Sequence, residues 1–163
     1  MKTNIIDYID FDRFNALLEG FNKSTGFVTA ILDLKGNIIS KSGWRSICTD
    51  FHRVNKESNL NCILSDTILA NSLSKDKEYN LYKCHNGLID VVVPINIKGE
   101  HVANLFTGQF FLEEPDIAFF EEQATKYGFN KRDYLNALDE VPIVSEKEIK
   151  DILDFLLSLT QMV

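Results

Sequence analysis

Residues 79–111 decide the fold of this chain, because they hold three apolar segments separated by two short breaks. In order they read YNLYKC, HNG, LIDVVVPINI, KGE and HVANLFTGQFF. Short segments rich in valine, isoleucine, leucine and phenylalanine between glycine-containing breaks predict β-strands. Two successive hairpins of this kind make an antiparallel meander, and Lys98-Gly99-Glu100 is a short turn suited to the second hairpin.

The middle segment predicts a sheet that is covered on both faces. Alternation places five isoleucine and valine side chains on one face: Ile89, Val91, Val93, Ile95 and Ile97. The opposite face carries Asp90 among apolar neighbours instead of the run of polar residues that a half-solvated strand shows. Asp90, with Tyr82, Cys84 and Gln109 on the neighbouring strands, therefore needs a polar partner beneath the cover.

The composition describes one globular domain over residues 1–163. A net charge of −7 without a basic cluster argues against direct nucleic-acid binding by this domain. No run reaches the ~18 apolar residues that a membrane span requires, and the first residues are acidic where a signal peptide is basic and then apolar. We therefore expect no membrane association and a cytoplasmic location. Three cysteines in a reducing compartment fit no closed disulfide framework.

Helices and a further hairpin surround the meander. Apolar spacing predicts an N-terminal helix over residues 6–21, with Gly20 near its end. Strand-like residues Phe27–Leu34 lead through a turn to a partner strand beginning at Ile38. Two short helices follow, at 46–53 and 59–73, with Ser58 or Asn59 as the N-cap of the second. After the meander, one helix runs to Tyr127 with Gly128 as its cap, and a short one covers 131–138.

The last helix begins at a capping box, Ser145-x-x-Glu148, and is expected to span about 146–163. Its apolar residues fall at spacings of three and four: Ile149, Ile152, Leu156, Leu159 and Val163. Such a seam either packs on its own domain or forms a coiled coil. Because the seam is still in phase at the last residue, we expect a signalling helix that continues into another domain of a longer protein.

This order of elements predicts an α+β fold of the PAS type. Such a fold has a five-stranded antiparallel sheet, short helices that cover one face, and a small-molecule cavity between them. If the two short helices form that cover, Cys48 and His52 on the first, Cys62 on the second and Cys84-His85 on a strand converge on one space.

The sequence leaves several roles open for these residues. The cysteines are core residues, ligand-contacting or redox-sensing thiols, or ligands of a metal ion or haem together with His52. A paired C-x₂₋₄-C spacing, which structural zinc sites use, is absent. Cys48 and His52 also have the residue types of a nucleophile and its base, but no oxyanion element or third residue accompanies them. We therefore expect no enzyme activity.

Three further residues combine apolar bulk with a polar group. Trp44 either packs in the core or lines a pocket with its N–H turned to a ligand. Asp90 and Gln109 either satisfy backbone groups or hydrogen-bond a small hydroxylated ligand. His101 follows a turn, where exposure to solvent is the usual state.

Four segments of the sequence, taken together, are characteristic of one protein family. The segments WRSICTDFHRVN, NCILSDTILA, EYNLYKCHNGLIDVVVPI and GEHVANLFTGQFF resemble the PocR ligand-binding domain over nearly the whole chain. That family is described as a PAS-like sensory domain of bacterial and archaeal signalling proteins, found before AraC-type regulators and histidine kinases. The resemblance implies an input domain that senses small hydrocarbon derivatives such as propanediols.

The residues in the matching motifs are the candidate ligand-binding set: Trp44, Cys48, Phe51, His52, Cys62, Tyr82, Cys84, Asp90 and Gln109. The sequence and this resemblance together imply a sensor of a short diol or alcohol that needs no cofactor and forms a homodimer. The resemblance implies that an AraC-type or histidine-kinase output domain follows it. Dimerisation is expected through the first or last helix. The competing hypothesis is a metal, haem or redox sensor that uses Cys48, Cys62 and Cys84.

Overall fold

The computed structural model describes residues 9–69, 71–72 and 78–162. Within them, one antiparallel sheet has the strand order β2-β1-β5-β4-β3. Its strands are β1 (Val28–Asp33), β2 (Ile38–Ser42), β3 (Asn80–Lys83), β4 (Ile89–Ile97) and β5 (Glu100–Phe110). The predicted α+β class, the meander and the preceding hairpin are confirmed.

Two backbone features fix the register between β4 and β5. Lys98 and Gly99 both have positive φ, 51° and 80°, as a two-residue hairpin turn that matches strand twist requires. At the other end Asp90 pairs with Gly108 but Ile89 pairs with Phe110, so Gln109 is an extra residue in β5. This β-bulge bends the strand beside the predicted site.

Five α-helices and two π-helical segments accompany the sheet in the described part of the chain. The helices are α1 (Phe11–Thr25), α2 (Lys56–Leu64), α3 (Ile117–Tyr127), α4 (Lys131–Asp139) and α5 (Glu146–Thr160). The π-helical segments are Ile47–His52 and Ser65–Leu69. No described helix is both long enough and apolar enough to cross a bilayer.

Several predicted helix ends are wrong. Asp10 caps α1 and Gly20 lies inside it, because the stop is Gly26 in the left-handed conformation; residues 6–8 lie outside the described part. The N-cap of α2 is Asn55, whose side chain accepts from two backbone N–H groups. That helix ends at Leu64 and changes to π-helical turns at Ser65; Leu73, the predicted end, lies outside the described residues.

The last helix has the predicted start and a different end. Ser145 and Glu148 form the capping box, but α5 stops at Thr160; Val163 lies outside the described residues. Leu156 is fully buried, and the other seam residues that are described also contact the domain's own core. Of the two interpretations of this seam, packing on its own domain is the one observed.

The sheet is covered on both faces, as predicted. On one face α1 and α5 bury an aliphatic core that includes Ile31, Val91, Val93 and Leu105. On the other face lie α2 and the π-helical segments. A separate cluster joins α3 and α4 to the segment Ile47–His52. The space between the second face and its cover is where the candidate site lies.

Candidate ligand-binding site

A partly open cavity of about 40 Å³ lies between the sheet and its helical cover. Seven of the nine candidate residues line it: Trp44, Cys48, His52, Cys62, Cys84, Asp90 and Gln109. They come from the first π-helical segment, from α2, from strands β4 and β5, and from the residues that follow β2 and β3. The structure therefore brings together side chains that are up to 65 positions apart in sequence (109 minus 44).

Phe51 and Tyr82 do not line the cavity. The Phe51 ring packs edge-on to Phe129, with centroids 5.5 Å apart, in the cluster of α3 and α4. Tyr82 lies on the cavity face of the sheet, directly opposite Asp90, and packs with Phe106. Its hydroxyl is buried without a hydrogen-bond partner among the described residues. Phe51 thus supports the cover, and Tyr82 supplies an unsatisfied polar atom behind the cavity wall.

Asp90 and Gln109 form the polar end of the cavity. Asp90 Oδ1 accepts from the backbone N–H of Gln109 at 3.2 Å, which is the partner that its buried position requires. Gln109 has φ of 57°, a left-handed conformation that is strained for a residue with a side chain. Gly108 leaves the room for this contact, since a Cβ there would lie 2.0 Å from Asp90 Oδ1.

The Gln109 side chain is held in place from the cover. Its Oε1 accepts from the backbone N–H of Arg45 at 2.5 Å. Burial raises the pKa of Asp90 to about 7, and the nearby Asp66 adds to this. The cavity therefore contains a carboxyl group that changes its charge near neutral pH.

Arg53 and Asp66 add an ion pair that the sequence analysis missed. Arg53 Nη2 donates to Asp66 Oδ2 at 2.8 Å, and both residues line the cavity. The guanidinium also lies 4.6 Å from the centre of the Trp44 ring. Trp44 in turn donates through Nε1 to the Thr29 carbonyl at 3.1 Å. Arg53 Nε is buried without a partner in the described part of the chain, so one donor at this wall is unsatisfied.

The three cysteines are buried or half-buried thiols around this one cavity. Burial raises the pKa of Cys48 and Cys84 well above the usual value and that of Cys62 to about 11. At neutral pH all three are protonated, and a protonated thiol is a weak nucleophile and a weak metal ligand. They give the cavity a soft, mainly apolar wall.

A buried polar network anchors the cover at the side away from Asp90. His52 Nε2 and the Tyr134 hydroxyl are 2.6 Å apart, and Gln123 Nε2 donates to the same hydroxyl at 3.0 Å. Gln123 also donates to the Asn86 carbonyl, and Asn86 Nδ2 donates to the Ser58 carbonyl and to Cys62 Sγ. Burial lowers the pKa of His52 to about 4, so its ring is neutral. The network ties α2 to α3, α4 and the β3–β4 turn.

These contacts bear on the alternative roles. His52 Nε2 is engaged by Tyr134, and burial keeps the Cys48 thiol protonated, so the pair lacks the features of an activated nucleophile. No group of three or more histidine, cysteine or acidic side chains is arranged to hold a metal ion among the described residues. A cavity of about 40 Å³ is also too small for a porphyrin.

His85 and His101 lie outside the cavity wall. His85 Nδ1 is 2.8 Å from Ser65 Oγ, a contact that joins the β3–β4 turn to the second π-helical segment. His101 Nε2 is 2.7 Å from Asn104 Oδ1, and the residue is half-buried instead of exposed as the sequence suggested.

The five-stranded antiparallel sheet with its covering helices defines a fold class, the PAS-like α+β domains. Within that class, a family model described as "Sensory domain found in PocR" matches residues 7–163. The chain belongs to this family. It is also 25% identical over 101 residues to the regulatory protein PocR of Salmonella typhimurium, strain LT2. The match covers 62% of this chain and 33% of that protein, so the chain spans about a third of the length of its curated relative.

Proposed function

We propose that this domain is the ligand-sensing part of a signal-transduction or transcription-regulatory protein, and that its ligand is a short diol or alcohol. The observation that carries the proposal is the small, partly open cavity, whose mainly apolar lining includes the polar side chains of Asp90 and Gln109. A small molecule with an apolar body and hydroxyl groups matches both parts.

The size of the cavity limits the ligand. About 40 Å³ accommodates roughly three water molecules, since each needs about 10–15 Å³ by this measure. A guest of a few non-hydrogen atoms fits this space, whereas a nucleotide or an aromatic cofactor does not. This limit favours a short diol or alcohol over larger metabolites.

Unused hydrogen-bonding groups favour a hydroxylated guest. Asp90 Oδ1 accepts from the Gln109 backbone, while Arg53 Nε is a buried donor without a partner among the described residues. A hydroxyl group in the cavity can donate to the Asp90 carboxyl group and accept from Arg53 Nε, which removes the cost of leaving that donor unsatisfied. His52 forms part of the cavity wall but does not offer Nε2 to a ligand, because that atom already contacts the Tyr134 hydroxyl.

Ligand binding then acts on an equilibrium between two arrangements of the cover. α2 and the second π-helical segment form the roof through Cys62, Ser65 and Asp66. A ligand that binds the closed arrangement more tightly shifts the population towards it. We propose that an AraC-type or histidine-kinase output domain in the complete protein reads this shift, in a cytoplasmic homodimer. The similarity to a regulatory protein supports the regulatory part of the proposal.

Calorimetric titration of the purified domain tests the proposal. The ligands are propane-1,2-diol, propane-1,3-diol, propan-1-ol and glycerol, titrated against the natural protein and against Asp90→Ala. We expect saturable binding by at least one of them and a loss of about tenfold or more in affinity for Asp90→Ala. Asp151→Ala, an exposed carboxylate on α5, is the matched control and should bind normally. Absence of binding by all four ligands, or equal binding by Asp90→Ala, contradicts the proposal.

The second candidate is a metal, haem or thiol-based redox sensor; of these, the three thiols around one cavity favour the redox sensor. Elemental analysis and an absorption spectrum of the purified protein distinguish the candidates. About one equivalent of a transition metal, or a thiolate–metal or haem band, supports the second candidate. Its loss in Cys62→Ala would assign the site to this cavity.

A further inference from the structure

The helix that forms the roof of the cavity has its apolar side towards solvent. Four aliphatic residues of α2 and the following π-helical segment are exposed: Leu60 58%, Ile63 43%, Leu64 41% and Ile68 64%. They recur at spacings of three, one and four, so they form one stripe along the outer surface. The inner side of the same helix carries Ser58, Cys62, Ser65 and Asp66, all buried.

This distribution is the reverse of an ordinary surface helix, which turns its apolar side inward. The inward polar residues are explained by the cavity and by the network through Asn86. Folding of the domain alone gives no reason for aliphatic residues on the outer side. A continuous apolar surface of this kind marks an interaction site.

The charge distribution indicates the partner. The whole chain has a net charge of −7, so two copies repel each other over most of their surfaces. Between Ser58 and Ser72 the only charged residue is Asp66, and it is buried in the ion pair with Arg53. A contact about a twofold axis needs a surface that complements itself. An uncharged aliphatic stripe meets that requirement, whereas an acidic surface does not.

We propose that the stripe Leu60, Ile63, Leu64 and Ile68 is the contact through which two copies of this domain associate. The four side chains expose on the order of 400 Å², about half of the ~800 Å² per partner in a typical stable interface. Leu34 adds exposed apolar surface next to the Ile68 end of the stripe. Asn71 Nδ2 donates a hydrogen bond to the Leu34 carbonyl at 3.1 Å, which fixes this residue beside the helix.

This surface replaces the one that the sequence suggested. The described seam residues of α5 pack against the domain's own core. What remains exposed on α1 and α5 is mainly Leu17 at 46% and Phe155 at 42%, and Phe155 is stacked on Phe21. The α2 stripe offers more aliphatic surface in a single element. Because the inner side of α2 lines the cavity, association is coupled to ligand binding, a consequence that rests on the proposed function.

Sedimentation velocity of the natural chain without ligand tests the contact independently of sensing. We expect a concentration-dependent dimer. Leu60→Glu combined with Ile68→Glu should weaken the dimer at least about a hundredfold, since each substitution places two charges in one symmetric contact. Leu17→Glu with Phe155→Glu is the matched control and should leave the dimer intact.

Two results overturn the proposal. One is a natural chain that stays monomeric at high concentration, and the other is a dimer lost only in the Leu17 and Phe155 control. Circular dichroism checks that each variant is folded. If the glutamate pair unfolds the domain, Leu60→Gln with Ile68→Gln decides. A dimer weakened about tenfold or more then supports the contact, and an unchanged dimer refutes it.

Discussion

The two faces of the same sheet differ in chemistry although they share every strand. Beneath α1 and α5, Val91, Val93 and Ile95 alternate into a core that excludes water. On the opposite face Asp90, the residue before Val91, lines a cavity together with an ion pair and three thiols. Neighbouring residues of one strand therefore face two different environments: the aliphatic core on one face and a cavity with unsatisfied polar groups on the other.

The difference between the two faces shows that the groups which destabilise the folded state lie on the cavity face. A buried carboxyl with a raised pKa, a guanidinium with an unpartnered Nε and a non-glycine residue at positive φ each raise the free energy of the folded state. All three lie on the cavity face within one small region. The aliphatic face supplies the stability that allows them to persist.

The largest effect is expected on the aliphatic face. Leu156→Ala removes a fully buried side chain and should lower the free energy of unfolding by about 3–5 kcal/mol. Ligand affinity should change less than twofold, because α5 does not touch the cavity. Urea unfolding measures the first and calorimetry the second. Phe155→Ala, next to it but exposed, is the control; a cost below 1 kcal/mol for Leu156→Ala would contradict the comparison.

Breaking the ion pair should have the next largest effect. Asp66→Ala leaves the Arg53 guanidinium without its partner and should cost about 3 kcal/mol. Replacing both residues, as Arg53→Met with Asp66→Leu, should restore most of that stability while ligand binding is lost. Urea unfolding of the two variants checks this, and equal stability of the single and double variants would refute it.

The third prediction concerns pH. The folded-state pKa of Asp90 is raised to about 7 from the ordinary 3.8, so the contribution of this carboxyl group to the free energy of unfolding falls as pH rises from about 4 to 7. Its facing groups are Asp66, Arg53, Tyr82 and Cys84. Asp90→Asn removes this titration, so its stability relative to the natural protein should increase by roughly 2–4 kcal/mol over that range.

The titration of His52 also changes stability with pH, but it does not affect the difference between Asp90→Asn and the natural protein. His52, with a pKa lowered to about 4, destabilises the folded state as pH falls below 6.5. That contribution is common to both proteins and drops out of the difference. Thermal unfolding at pH 4, 5.5, 7 and 8 gives the four points, and a difference that does not vary with pH would show that folding does not raise the pKa of Asp90.

The smallest effect is expected at the capping box. Ser145→Ala removes the side chain that accepts from the Glu148 backbone and should cost about 1 kcal/mol. Ser158→Ala, on the exposed side of the same helix, should be neutral. Chemical unfolding measures both; a neutral Ser145→Ala would mean that packing alone fixes the start of α5.

Sequence reasoning succeeded where the signal is local. Alternation in β4 assigned both faces correctly, and the capping box and Gly128 were read directly from the residue types. It failed where neighbouring signals compete. Asn55 caps α2 ahead of Ser58, which is buried and donates to the His52 carbonyl.

The candidate site shows the same limit. The sequence predicted that thiols and Asp90 converge, since strand and helix faces follow from spacing. It did not identify Arg53, because an arginine between two helices is normally exposed. Nor could it pair His52 with Tyr134, 82 positions away, because such contacts depend on tertiary packing. The π-helical segments also have no recognisable sequence signal.

One further feature bears on how the cavity communicates with the rest of the molecule. Phe111, two residues after the bulge at Gln109, accepts from the Val144 N–H at 2.7 Å and donates to the Pro142 carbonyl at 2.9 Å. These residues come directly before the cap of α5. These two hydrogen bonds connect the cavity end of β5 to the start of α5, so a displacement of the bulge would strain them or move the start of that helix.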